Sequence, residues 1–221
     1  MAVIVLAAGG STRMSNQANK AYLQLDGAPL VARSLRTLAS DQSTVRMVLV
    51  IRPEERALAE AAVSAAGTGL EVELVEGGPT RQRSEWKGIK ALAAEIEAGD
   101  LDLVAIHDAA RPFFTRSLWD RLVAAAEETG GAVPALPVAN LFTREGDMVG
   151  RPTPTEAARV QTPQVFRAVP LLGAYRVAGE TAHDFDDTAQ VVERFSSLVV
   201  AAVHGEEANR KITFASDLAP V

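Results

Sequence analysis

The sequence predicts an α/β protein, with a mostly parallel central sheet, helices on both faces and a protruding β-arm. Three observations lead there. Short β-branched runs alternate with longer helical patterns along most of the chain. Those runs are largely apolar along their length, as strands covered on both faces are. The rhythm then breaks once, from Val138 to Gln161, where an "EGD" turn signal and "RPTPT" replace the strand–helix alternation.

In order, "VIVLAA" reads as a strand, "PLVARSLRTLAS" as a helix with Pro29 near its first turn, and "VRMVLVI" as a strand. "PEERALAEAAVSAAG" is an alanine-rich helix that Gly67 ends, and "LEVELV" is a strand. "RQRSEWKGIKALAAEIEAG" is a helix, "LDLVAIH" a strand, "TRSLWDRLVAAAEETGG" a helix and "GAVPALP" a strand. After the arm come helical patterns at "VPLLGAYRVAGE" and "DDTAQVVERF", then the strand "SLVVAAVH". Sheets of this kind hold ligands at the carboxyl ends of their strands, so function is expected in the loops that follow them.

The chain has 221 residues, 48% hydrophobic and 23% charged, which suits a soluble globular protein. One domain over 1–221 is expected, with 138–161 as its arm. A net charge of -6 offers no overall attraction to nucleic acid or an anionic membrane, so neither is an expected partner. There is no cysteine, which excludes disulfides, thiolate catalysis and Cys-ligated metals. The N-terminal run "AVIVLAA" has no basic flank and is too short to cross a bilayer, and the expected location is cytoplasmic.

The first loop carries Ala7, Ala8, Gly9 and Gly10, small residues that let backbone approach a ligand and present N–H donors. Both the dinucleotide fingerprint GxGxxG and the P-loop pattern are missing. Arg13 and Lys20 stand there instead, and two cations beside a glycine turn suit a polyphosphate. The glycines alone mark just a tight turn. In the second loop, "EGGPTRQRS", Gly77 and Gly78 again permit close approach, and Ser84 either reads a base or ribose or caps the helix. The third, "IHDAARPF", places Asp108 at a strand end where a carboxylate can hold Mg2+. Its neighbour His107 reads as a packed residue, and Arg111 can pair with Asp108. His183 and His204 lack ligand-spaced companions, and Trp86 and Trp119 fall on helix patterns as packing residues.

Six strings, "LAAGGSTRM", "NKAYLQLDG", "GGPTRQRS", "IHDAARPF", "VQTPQVF" and "NRKIT", occur in an order that resembles the 2-C-methyl-D-erythritol 4-phosphate cytidylyltransferases over essentially the whole chain. The resemblance implies a Rossmann-like, glycosyltransferase-A-like nucleotidyltransferase that uses CTP, Mg2+ and a polyol phosphate. It implies a homodimer whose 138–161 arms embrace. Arg13, Lys20 and Lys211 would grip the triphosphate and stabilise the transition state. Ala7, Ala8, Gly9 and Gly10, with Gly78 and Ser84, would recognise the nucleotide. Asp108 would place the metal, and Arg111 and Thr162 would face the acceptor. Where most members carry aspartate–threonine at the start of the arm, this chain has Asn140 and Leu141, and Pro154 stands at a usual arginine position. Arg151 and Arg159 are nearby replacements for that arginine. The usual "TDDA" appears shifted as "DFDDTA", where Asp186 and Asp187 read as helix caps. The chain ends at "DLAPV", short of the C-terminal helix that commonly follows.

The implied reaction is transfer of CMP to methylerythritol phosphate, which serves isoprenoid precursor synthesis. Rivals are transfer to another polyol phosphate such as ribitol 5-phosphate, a molybdopterin-type nucleotidyltransferase, and a nucleotide-binding homologue without catalysis. A dehydrogenase is disfavoured by the missing GxGxxG.

Overall fold

The computed structural model describes residues 1–9, 19–139, 141–152, 156–181, 183–213 and 217. Gly10, Arg13, Asn140 and Pro154 lie outside the described residues.

Strand β1 (Ala2–Leu6) is followed by a 3-10 turn at Lys20–Tyr22, a short antiparallel pair β2 (Gln24–Leu25) and β3 (Ala28–Pro29), and helix α1 (Leu30–Ala39). Next come β4 (Arg46–Ile51), α2 (Arg56–Ala66), β5 (Val72–Glu76), α3 (Arg81–Ala91) and α4 (Ala93–Ala98). The chain continues through β6 (Leu103–Asp108), α5 (Arg116–Thr129), β7 (Gly130–Val138), β8 (Phe142–Glu145), β9 (Met148–Pro152) and β10 (Ala157–Val160). It closes with β11 (Gln164–Arg167), α6 (Ala168–Gly179), α7 (Thr188–Phe195) and β12 (Val199–His204).

Among the described residues the main sheet has eight strands in the order β10-β7-β11-β6-β1-β4-β5, with β12 also paired to β7. β1 runs parallel to β4 and β6, β4 to β5, and β12 to β7. β11 is antiparallel to both β6 and β7, and β10 is antiparallel to β7. The sheet is therefore mostly parallel with two reversed strands.

Alternation along the strands makes two cores from one sheet. Val3 and Val5 of β1, with Met47, Leu49, Leu103 and Ala105, face α1, α2 and α5 through Leu35, Ala59 and Trp119. Ala2 and Ile4, with Val48, Val50, Val104 and Ile106, face α3, α6 and α7 through Ile89, Leu171, Tyr175 and Val192. Burial on both faces is why these strands read as unbroken apolar runs.

Three details depart from the sequence reading. The helix expected over 81–99 is two helices, because Leu92 leaves helical ψ and its N–H closes back on Ile89 and Lys90. No glycine or proline marks that break. Strand β11 is not among the sequence-predicted elements; its four residues follow Pro163, and pairing on both sides outweighs their brevity. The expected arm is also shorter than 138–161, since β10 returns to the main sheet against β7. What protrudes is the β8–β9 hairpin, turning at Gly146 with φ 63. No helix among the described residues is long and apolar enough to cross a membrane.

The winding places the site. The chain runs outward from β1 through β4 to β5, then returns to set β6 on the other side of β1. That reversal opens a crevice beyond the carboxyl ends of β1 and β6.

Candidate active site

A cleft of about 850 Å³ occupies this crevice, lined by Ala7, Ala8, Gly9, Lys20, Asp108 and Lys211, and by Gly78, Thr80, Arg81, Ser84 and Asp186. All three loops expected to carry function meet there.

The first loop leaves β1 with the Ala7 N–H donating to the Val50 carbonyl at 2.8 Å. Asn19 fastens Lys20 to it: its Nδ2 donates to the Ala7 carbonyl at 2.5 Å and to Glu55 Oε2 at 2.7 Å, and its Oδ1 accepts from the Ala21 N–H at 3.1 Å. Arg52 donates from Nη2 to the Gly9 carbonyl at 2.9 Å. Lys20 thus sits on a capped turn whose position is set by buried hydrogen bonds.

In the second loop the glycines serve packing between protein segments. A Cβ on Gly77 would lie 2.5 Å from the Ala8 Cβ, and one on Gly78 would lie 2.5 Å from the Arg83 Cβ. A side chain at Gly77 would push the first and second loops apart, and one at Gly78 would push the second loop off the start of α3. Ser84 is not the helix cap. Thr80 holds that place, its hydroxyl accepting from the Arg83 N–H at 3.2 Å. The Ser84 hydroxyl instead donates to the Thr80 carbonyl at 2.9 Å and accepts from the Gly78 N–H at 3.1 Å, tying the loop down.

Asp108 ends β6 and is 7% exposed. Lys211 Nζ lies 2.9 Å from its Oδ2, Arg81 Nη2 3.4 Å from Oδ1, and Arg111 Nε 3.7 Å from Oδ2. Burial pushes this carboxyl up, but Arg81, Lys211 and Arg111 together hold it well below the usual carboxylate range. It is ionised at any working pH. Burial takes the adjacent His107 imidazole down to about 3, leaving it neutral between Ser34 and Thr162, as its packed reading expects.

Among the described residues no group of three or more His, Asp or Glu side chains forms a metal cage. Magnesium commonly takes one or two carboxylates and completes its shell with substrate phosphates and water. An ionised carboxylate lining the cleft fits that habit, and Asp108 is such a group.

The residues implied for the acceptor lie elsewhere. Arg111 sits behind Asp108, donating from Nη1 to the Asn209 carbonyl at 2.9 Å, and does not line the cleft. Thr162 is 2% exposed; its hydroxyl accepts from the Asp108 N–H at 2.9 Å and lies 3.2 Å from His107 Nδ1. Arg151 is exposed on the hairpin, its N–H donating to the Thr143 hydroxyl at 2.9 Å. Arg159, on β10, pairs loosely with Glu207 at 3.4 Å and is near enough to Arg111 to help lower that guanidinium, after the larger effect of burial. Of the two aspartates expected as caps, only Asp187 caps α7, accepting from the Ala189 N–H at 2.9 Å. Asp186 lines the cleft.

Sequence reasoning missed Arg81, which forms part of the cleft wall. It stands in the quoted string "GGPTRQRS", and its spacing from Glu85 on a helix was the available signal. It also missed Asn209. This fully buried side chain donates to the Thr162 carbonyl at 2.9 Å and helps fix the loop that carries Lys211.

A switch-point cleft lined by glycine-bearing loops, by Lys20, Arg81 and Lys211 and by the ionised Asp108 suits a nucleotidyltransferase. Comparison with known proteins narrows that class. Residues 1–221 match the sequence model of the family described as 2-C-methyl-D-erythritol 4-phosphate cytidylyltransferase. A protein of that name from Cereibacter sphaeroides strain KD131 is 39% identical over 221 residues, covering 99% of this chain and 93% of its own. A solved 4-diphosphocytidyl-2C-methyl-D-erythritol synthase from Anaerococcus prevotii superposes with a TM-score of 0.82 at 26% identity, covering 98% of this chain and 92% of that one. The 2-C-methyl-D-erythritol 4-phosphate cytidylyltransferase of Thermus thermophilus gives 0.73 at 34% identity, covering 98% and 94%. The chain belongs to the 2-C-methyl-D-erythritol 4-phosphate cytidylyltransferase family, and it is a cytidylyltransferase.

Proposed function

We propose that the protein, acting as one domain, transfers CMP from CTP to 2-C-methyl-D-erythritol 4-phosphate and releases pyrophosphate. The observation that carries this reading is the meeting of Lys20 and Lys211 with the ionised Asp108 in the switch-point cleft, where Lys211 Nζ lies 2.9 Å from the Asp108 carboxylate. The names of the relatives supply the substrates.

The acceptor phosphate has a second pKa of about 6 and is largely dianionic near neutrality. One of its oxygens attacks the α-phosphorus of CTP; that P–O bond forms as the bond to the β-phosphate oxygen breaks. No side chain has to remove a proton. The difficulty is repulsion between two polyanions, and Lys20, Lys211 and, by the family resemblance, Arg13 offset it. Asp108 would hold Mg2+, which when bound supplies Lewis-acid neutralisation of the phosphates. The Gly78 and Ser84 loop holds the nucleotide side of the cleft in shape. The exposed apolar side chains of the hairpin, Phe142, Met148 and Val149, support pairing of two chains through the arm.

Pyrophosphate release measured across four nucleoside triphosphates and several polyol phosphates, with Mg2+, tests the proposal. Turnover confined to CTP with methylerythritol phosphate is the expected result. Turnover with ribitol 5-phosphate would favour the second reading, which Leu141 at a usual acceptor position supports. CTP binding with no turnover on any acceptor would leave a binding protein.

A further inference from the structure

Glu85 is fully buried and touches none of the reacting groups. Its Oε1 lies 2.6 Å from Arg81 Nη1, one turn back along α3. It also accepts from the Thr188 hydroxyl at 2.6 Å and the Tyr175 hydroxyl at 2.7 Å. A carboxylate taken wholly out of water is expensive, and a buried ion pair seldom repays that expense in stability alone. This one has a directional consequence. Arg81 is pinned on one edge by Glu85, while Nη2 on its other edge faces Asp108 Oδ1 at 3.4 Å.

Lys211 is held differently. Its side chain is 49% exposed, and a single flexible stem carries its ammonium to Asp108 Oδ2. Incoming phosphates compete with Asp108 for that ammonium, and an exposed lysine can turn to them. Arg81 cannot follow, because Glu85 and Thr188 hold it from behind and Tyr175 in turn holds Glu85.

We propose that Glu85 and Arg81 are positioning residues: Glu85 locks the Arg81 guanidinium, which keeps the Asp108 carboxylate aimed into the cleft for the magnesium ion once Lys211 turns to the nucleotide. This rests on the reading of Asp108 as the magnesium-binding carboxylate. Glu85 and Arg81 thereby act on metal-dependent binding of the nucleotide, and leave its metal-free binding nearly unchanged.

Calorimetric titration of CTP, without acceptor so that nothing turns over, separates the two kinds of binding when run in EDTA and in excess Mg2+. The variants are Glu85→Gln, the double variant Arg81→Gln/Glu85→Gln, which removes both buried charges together, and Asp108→Asn; thermal unfolding without ligand establishes that each is folded. Supporting groups around a metal ligand typically contribute 10- to 100-fold to metal affinity. The Glu85→Gln and double variants should therefore bind CTP in EDTA within about threefold of wild type, yet lose about tenfold of the tightening that Mg2+ confers. If Glu85→Gln fails to fold, the double variant carries the test. Equal weakening with and without Mg2+ would mean that Arg81 grips phosphate directly, and would overturn the inference. Full Mg2+-dependent tightening in these variants, with its loss in Asp108→Asn, would overturn it while leaving Asp108 in place. Retention of the tightening in Asp108→Asn would overturn the reading beneath it.

Discussion

Replacing Thr162 by valine separates two accounts of one residue. The family resemblance puts Thr162 at the acceptor, whereas its hydroxyl here accepts from the Asp108 N–H at 2.9 Å and lies 3.2 Å from His107 Nδ1, at 2% exposure. Valine keeps the volume and removes the hydroxyl, leaving two buried polar groups without that partner. Each such loss costs about 1–3 kcal/mol, so roughly 3 kcal/mol of stability should go. In a chain of this size 1 kcal/mol moves Tm by about 2–4 °C, which predicts a fall of roughly 6–12 °C. Thermal unfolding by circular dichroism reads the first effect, and steady-state kinetics with separate variation of CTP and acceptor reads the second. The expected outcome is a lower Tm together with a lower kcat, because the Asp108 backbone loses its anchor, and Thr162→Ser should restore both. An unchanged Tm with a raised KM for acceptor alone would refute the argument and return Thr162 to the acceptor site.

Lys20→Ala should lower kcat by about a hundredfold, on the order of 3 kcal/mol of transition-state stabilisation, with little change in Tm, since Asn19 holds the turn; near-normal turnover would remove Lys20 from the mechanism. Burial pushes the Asp41 carboxyl up, but hydrogen bonds from Ser43 and Trp119 and the charge of Arg116 bring it below its ordinary 3.8. A depressed carboxylate stabilises the fold above its unfolded value and loses that contribution as pH falls below about 4. The stability difference between wild type and Asp41→Asn, from urea unfolding, should therefore shrink below that pH, and a constant difference would contradict the assignment. Val149→Lys, at a position 75% exposed on the hairpin, should leave Tm nearly unchanged and shift a dimer toward monomer in sedimentation velocity; an unaltered sedimentation coefficient would count against the arm as the interface.

The parallel half of the fold was legible because burial on both faces forces apolar strands, and β1, β4 and β6 carry that signature without interruption. β11 was not legible: four residues after a proline make a strand only because β6 and β7 are waiting on either side. Site residues divided in the same way. Lys20, Asp108 and Lys211 follow short loops at strand ends or lie in recognisable strings, and the structure gathers them in one cleft. Thr162 lies in an equally recognisable string, yet its partner is distant in sequence, and Arg111 adds to the local Asp108 a second partner, the distant Asn209 carbonyl. The separation of 54 positions between Asp108 and Thr162 hides a buried hydrogen bond that no local pattern announces. Ser84 shows the same blindness at short range, since whether a hydroxyl caps, reads a ligand or braces a loop depends on where Gly78 returns.

The loop that carries Lys211 is tied to the arm through the core. Strand β10 runs directly into Gln161, whose Nε2 donates to the Glu206 carbonyl at 2.7 Å and the Asn209 carbonyl at 3.1 Å, while its Oε1 accepts from the Glu206 N–H at 3.1 Å. Gly205 makes room for this, since a Cβ there would stand 2.6 Å from that same Oε1. Asn209 continues the tie to Thr162, and the Ile212 N–H donates to the Ala110 carbonyl at 2.8 Å beside Asp108. A chain of buried, directional bonds is stiff, because each loses its full desolvation compensation when stretched. The backbone position from which Lys211 reaches Asp108 is therefore set by β10 and Gln161 as well as by the cleft itself. Gln161, at the end of β10, and the backbone around Lys211 are two ends of one hydrogen-bonded frame.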